Sequence, residues 1–247
     1  MAIHTLNQEK TAENPVPSVP DLPVRSLLQP DLRDSLLRAW GDKISADHSA
    51  VAASMLAKRY LSVLLAEGLY AITRRNECPD YSLGNLRLRF GKGWDLTLSL
   101  GVDQRSRPPS GDRDVWRKEA FRHLFRENVT PVLTSLSAHI SPAILWESAR
   151  GYVTHHYEKW LAETEAPGER EQIRSDHSFL TEERNHRISG SLPNPLSLPF
   201  RLSPDPENPG RELRFRRTCC LYHRLPGARP CPTCPGICAP GNPKKSK

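Results

Sequence analysis

The sequence predicts an α+β fold, mostly helical, in which a helical body with a β-hairpin carries a short C-terminal cluster-binding subdomain rich in proline and cysteine. Three observations lead there. Apolar residues recur at helical spacing through much of the chain between Pro30 and Leu161. Two adjoining stretches near residue 90 alternate apolar and polar side chains instead. Five of the six cysteines fall in the last 30 residues. A hydrophobic fraction of 37% is low for a globule of 247 residues, so part of the chain is expected outside the core. The 23 prolines, dense at 15–30 and 193–243, place that part at the ends.

Residues 1–24 read as a flexible N-terminal segment. The body, 25–190, opens with Pro30-Asp31 and a short helix through Trp40. There Leu32, Leu36, Leu37 and Trp40 share a face, and Gly41 is expected as the stop. Asp47 is the expected cap of a second helix reaching about Arg75. Its apolar residues cover much of the circumference, which places it at the centre. Leu86, Leu88 and Phe90, then Trp94, Leu96, Leu98 and Leu100, alternate with polar residues. They predict a hairpin closed by the three-residue loop Gly91-Lys92-Gly93. Residues 105–112 are a polar loop. A helix from about Asp114 is kinked or restarted at Pro131. Ser141-Pro142 is a cap followed by proline at the first helical position. The helix it starts carries Leu145, Ala149, Tyr152, Val153, Tyr157, Trp160 and Leu161 on one side and ends before Pro167. Residues 169–186 are strongly charged and predict an exposed helix. From Gly190 periodicity is lost, so 191–238 comprises an extended linker and the C-terminal cysteine subdomain, and 239–247 a disordered basic tail.

The formal charge is +7, which favours anionic partners without naming one. The first 20 residues lack an apolar core, so no secretory signal is expected. The apolar run Val51–Ile72 is interrupted by Lys58, Arg59 and Glu67, which argues against a membrane span. A cytoplasmic, reducing location follows, and it weakens a disulfide role for the cysteines.

Four cysteines lie in the pattern C-C-x10-C-x2-C: Cys219, Cys220, Cys231 and Cys234. Clustered thiolates bind soft metals, carry redox chemistry or form disulfides. A structural zinc site takes two C-x2–4-C pairs. Cys231 and Cys234 fit one, whereas the adjacent Cys219-Cys220 strain to reach one small ion. A [2Fe–2S] cluster presents four positions over a wider rhomb and tolerates adjacent ligands. Arg216, Arg217, Arg224 and Arg229 suit its negative charge. His223 is a shell or exposed residue rather than a ligand, Cys78 a structural thiol, and Cys238 a bystander or substitute ligand. Spacing alone leaves zinc open. A zinc-stabilised basic binding module, or a non-catalytic [2Fe–2S] electron carrier or sensor, therefore stands as the alternative.

Arg216-Arg217-Thr218-Cys219-Cys220-Leu221-Tyr222, the following Leu225-Pro226 and Cys231-x-x-Cys234-Pro235 resemble the FhuF-type siderophore-iron reductases, whose C-terminal cluster motif has this spacing. Asn194-Pro195-Leu196 resembles the family's approach to the motif, and Leu145-Trp146 is reminiscent of it. The resemblance implies a cytosolic bacterial protein, in some cases peripheral at the inner membrane. It implies a [2Fe–2S] cluster held by Cys219, Cys220, Cys231 and Cys234. The implied activity is one-electron reduction of Fe(III) held by an imported siderophore, releasing Fe(II) for iron assimilation. The expected partners are a ferric siderophore and a separate electron donor, either a ferredoxin or an NAD(P)H-dependent reductase. No Rossmann fingerprint supports a built-in nicotinamide site, and no nucleic acid is expected. Trp146, Arg150, Tyr152, His155 and His156 are candidates for substrate contact on one helix.

Overall fold

The computed structural model describes residues 22–109, 112–190, 193–205, 208, 210, 212–231 and 233–236. It is mostly helical with three small antiparallel sheets. Of the expected flexible leading segment, residues 1–21 lie outside the described residues. Leu22–Pro23 forms β1, and Val24 is fully buried at the start of a 3-10 turn, so the folded body begins slightly before residue 25.

Helix α1 (Pro30–Lys43) buries Leu37 and Trp40, whereas Leu32 is exposed. It does not stop at Gly41. A Cβ there would lie 3.4 Å from the Cβ of Ala52, so the missing side chain lets the helix pass close to its neighbour. The helix ends two residues later, and beyond its cap Ile44 the next residue, Ser45, adopts a left-handed conformation, φ 54°. Helix α2 (Ser49–Tyr70) is capped by His48, whose ring nitrogen accepts from the Ala50 N–H at 3.2 Å. Asp47, the expected cap, pairs with Arg224 instead.

Helix α2 continues into a π-helical turn, Ala71–Arg75, ended by Asn76 in the left-handed region. It is the centre of the molecule, as its all-round apolar sequence implies. Val51, Leu56, Tyr60, Leu61, Leu65 and Leu69 are fully buried. The stretch Ser49–Arg75 is long and apolar enough to cross a membrane, but 61% of its apolar window is buried inside the protein, as befits a core helix.

After β2 (Cys78–Pro79) come β3 (Leu86–Phe90) and β4 (Leu96–Leu100), paired in the register Leu86↔Leu100, Leu88↔Leu98 and Phe90↔Leu96. The predicted alternation holds, but the turn is one residue further on. Gly91 N–H donates to Asp95 C=O at 2.8 Å, which leaves Lys92-Gly93-Trp94 at the tip, and Trp94 is part of the turn. β1 adds to the other edge of β3, and β5 (Arg105–Ser106) pairs with β2.

Helix α3 (Arg113–Leu124) is capped by Asp112 and runs through a π-helical turn, Phe125–Val129, into α4 (Thr130–Leu136), with Pro131 in its first turn. Helix α5 (Pro142–Glu163) starts at Ser141, whose hydroxyl accepts from the Ala143 N–H. Leu145, Ala149, Val153, Tyr157 and Trp160 are buried, and α2 is its main neighbour.

Helix α6 (Pro167–Thr181) is not the solvated helix its charges suggest. It buries Ile173, Asp176 and Leu180. Asp176, with no exposed surface, takes Arg113 at 2.7 and 2.9 Å and Arg117 at 3.1 Å, which fixes α6 to α3. Short α7 (His186–Ser189) follows. The predicted extended linker contains a second hairpin, β6 (Arg201–Pro204) with β7 (Glu212–Phe215), just ahead of the cysteines. The tail 239–247 lies outside the described residues.

Removing one partner of a buried ion pair strands the other charge. Asp176→Ala is therefore expected to cost roughly 3–5 kcal/mol in urea unfolding. A second expectation concerns pH. Burial, then the charges of His155 and Lys159, holds His156 down to about 4 from its ordinary 6.5. The unfolded chain takes up that proton first. The stability this neutral ring allows is present above pH 6.5 and is lost as pH falls through about 4. His156→Gln is expected to flatten this part of the pH–stability curve measured by denaturant unfolding.

Candidate iron–sulfur site

The cysteine segment folds back on itself after β7. Arg216 N–H donates to Thr233 C=O at 2.9 Å, tying the first cysteine pair to the second. Cys234 N–H donates to Cys231 C=O at 2.9 Å, closing a tight turn. Leu221 sits in the left-handed region, φ 62°, and sends its N–H to the Cys219 sulfur at 3.4 Å. A 3-10 turn, Tyr222–Arg224, and buried Leu225 then anchor the loop to the body. The four thiols gather in one place: Cys231 acts on Cys220, and both Cys219 and Cys231 act on Cys234. Cys220 and Cys234 are buried, while Cys219 and Cys231 are half-buried.

The body holds this segment from two helices. From α2, the Ser54 hydroxyl donates to Cys220 C=O at 2.8 Å, and the Lys58 ammonium lies 3.7 Å from the Cys220 sulfur. From α5 comes Glu147. Its carboxylate accepts from Arg217 N–H at 2.6 Å and Thr218 N–H at 2.8 Å, and also from the Thr218 hydroxyl. Arg150 lies 3.4 Å and Arg216 3.7 Å from the same carboxylate. Burial raises the Glu147 pKa, but Thr218, the two N–H groups and Arg216 outweigh it and hold the carboxyl below its ordinary range. The Arg-Arg-Thr of the motif is thus a docking element. The sequence marks Leu145-Trp146 but carries no local signal for Glu147, which directly follows them.

Electrostatics divide the thiols. Burial pushes Cys220 up, but Lys58, the Tyr222 N–H, Arg216 and Cys231 bring it below its ordinary value. Cys234 is raised by burial and by the neighbouring Cys219 and Cys231. Lys58 thus favours the thiolate form of Cys220. His223 Nδ1 lies 3.5 Å from the Cys219 sulfur, as a shell residue would. Of the four arginines, Arg216 is engaged by Glu147 and Arg224 by Asp47 at 3.0 Å, while Arg217 and Arg229 are exposed. Cys78 is buried far along the chain, against Ala120 C=O, and burial pushes its thiol up to about 12, the mark of a structural cysteine. Cys238 lies outside the described residues. Asn194 is fully buried and ties off the end of α6 through Leu180 C=O (2.7 Å) and Glu182 C=O (3.0 Å), so Asn194-Pro195-Leu196 is a structural plug.

The five candidate contacts on α5 separate. Tyr152 and His155 line a groove of about 450 Å³ next to the cysteines. Arg150 lies buried with Glu147 and over the Phe200 ring, 3.5 Å from its centroid. Trp146 packs on the core, and His156 stacks on Trp160.

Four gathered thiols suit a group that takes four cysteine ligands. Among the described residues, no three histidine, cysteine, aspartate or glutamate side chains are placed to hold one metal ion. A family model for the FhuF 2Fe–2S C-terminal domain matches residues 216–235. A comparison with curated proteins finds no match. The segment that Glu147 docks is therefore of the FhuF type, and the match points to a [2Fe–2S] cluster and an iron–sulfur redox protein.

Loss of Glu147 leaves two part-buried N–H groups and buried Arg150 without their acceptor. Each unsatisfied buried group costs about 1–3 kcal/mol. In Glu147→Ala, hydrogen exchange at Arg217 and Thr218 is expected to speed up by about a hundredfold. Amides of α2 should keep their protection. Glu147→Gln, which retains one acceptor oxygen, should fall between the two.

Proposed function

We propose that the protein is a ferric-siderophore reductase of the cytoplasm, in which Cys219, Cys220, Cys231 and Cys234 hold the [2Fe–2S] cluster. The observation that carries this reading is the gathering of the four cysteines beside a groove between α5 and the second hairpin region. A bare electron carrier has no need of such a groove. When bound, the cluster supplies one electron, converting chelated Fe(III) to Fe(II), and a separate one-electron donor restores it. Siderophore oxygen donors hold hard Fe(III) far more tightly than Fe(II), so this single electron frees the metal.

The chain's own residues position and insulate. Glu147 and Ser54 fix the backbone on either side of Cys219, and burial of Cys220 and Cys234 shields two sulfurs from water. Lys58 and the Leu221 N–H place positive charge on sulfur. Each stabilises the more negative, reduced state of a bound cluster. The donor is a ferredoxin or an NAD(P)H-dependent reductase, because the sequence carries no nicotinamide fingerprint.

Chemically reduced protein, prepared without oxygen, is expected to release about one Fe(II) per chain to a ferrous chelator when mixed with a suitable ferric siderophore. Cys231→Ala should abolish the release. A reduced protein that stays reduced in the presence of hydroxamate, catecholate and carboxylate ferric chelates contradicts the reading.

A further inference from the structure

The groove is lined by α5 on one side, at Gly151, Tyr152, Thr154, His155 and Glu158, and by Phe200 and Arg214 of the second hairpin region on the other. Its volume is that of a small-molecule site. Two further lining residues reach the cysteines directly. Lys58 Nζ is 3.7 Å from the Cys220 sulfur, and Thr233 Oγ1 is 3.8 Å from the Cys231 sulfur. A ligand in the groove is therefore separated from the sulfurs by a single side chain.

The charges of the lining are mostly spoken for. Glu158 pairs with Arg214, and Glu147 faces Arg216 and Arg150. Lys58 differs. Among the described residues it has no carboxylate partner, and its contacts are the Cys220 sulfur and the face of Tyr222, 5.3 Å from the ring centroid. A four-thiolate [2Fe–2S] site carries a formal charge of about −2 oxidised and −3 reduced. A second anion can approach it closely only across a cation. Lys58 is the cation in that place.

Resting on the reductase reading above, we propose that this groove seats the ferric chelate, that it favours chelates of net negative charge, and that Lys58 holds them there. Tyr152 and Phe200 supply ring surface for the organic part, and Lys58 supplies the charge. Gly151 keeps the groove open. A Cβ added there meets nothing within 4 Å, so a larger side chain enters the groove without a backbone clash.

The test uses the full chain carrying its cluster, under anaerobic conditions. The probes are redox-inert gallium(III) complexes of a net-negative triscatecholate and of a neutral trihydroxamate, with binding followed by calorimetry. The wild type should bind the anionic complex about tenfold more tightly, the effect of one good ionic contact. Lys58→Met should erase that preference, and Lys58→Arg should keep it. Gly151→Leu should weaken both complexes by about tenfold or more while the cluster's visible spectrum stays unchanged. Wild-type binding of both complexes by Gly151→Leu overturns the groove assignment. Equal binding of the two complexes by the wild type, or an intact preference in Lys58→Met, overturns the role of charge. If groove variants reduce ferric chelates as well as the wild type does, only this inference falls. If the wild type neither binds gallium chelates nor reduces ferric ones, the reductase reading falls with it.

Discussion

Glu147 accepts hydrogen bonds from two backbone N–H groups and one hydroxyl of the cysteine segment, from a position on α5 that is otherwise buried in the body. A buried carboxylate is costly in isolation. It is tolerated here because its oxygens are filled by donors from Arg217 and Thr218, with Arg150 and Arg216 alongside. The cost and its compensation sit on different parts of the chain. Without the segment the body would hold a buried carboxylate short of donors, and the segment, which has little regular structure, is held in place by that carboxylate. This mutual need is what fixes four cysteines from an irregular, proline-rich stretch in one place.

The rest of the architecture supports that contact. Helix α2 is buried nearly all round, which makes it a rigid post, and from it Ser54 and Lys58 reach Cys220. Helix α5 packs on α2 and sets Glu147 opposite them. Asp176 secures α6 to α3 and closes the far side of the core. The hairpin β6–β7 ends in buried Phe215, directly before Arg216, so the strand pairing sets where the segment begins.

Much of this was legible in the sequence, for physical reasons. The hairpin at 86–100 showed its period of two, Ser141-Pro142 its cap, and α2 its apolar girth. The cysteine spacing is a covalent pattern that needs no fold to be read. The missed features depend on tertiary contact. Gly41 looked like a terminator because its use, a close pass to Ala52, lies in another helix. Asp47 looked like a cap, but Arg224 claims it from far along the chain. β6 and β7 are four residues each, β6 ends at Pro204, and Leu202 points an apolar side chain to solvent, so no alternation marks them. The charges of α6 concealed one buried aspartate. Glu147 was hidden in the same way: nothing local separates a docking carboxylate from a solvated one. The Arg-Arg-Thr it receives was visible, and a buried acid opposite was the complement to look for.

The account rests on the four gathered cysteines, Cys219, Cys220, Cys231 and Cys234, holding two metal ions rather than one. Iron, zinc and acid-labile sulfide content, measured with the visible spectrum on protein purified without oxygen, tests this most directly. The account predicts a red-brown protein with about two iron and two sulfide per chain. A colourless protein holding about one zinc and no sulfide would contradict it.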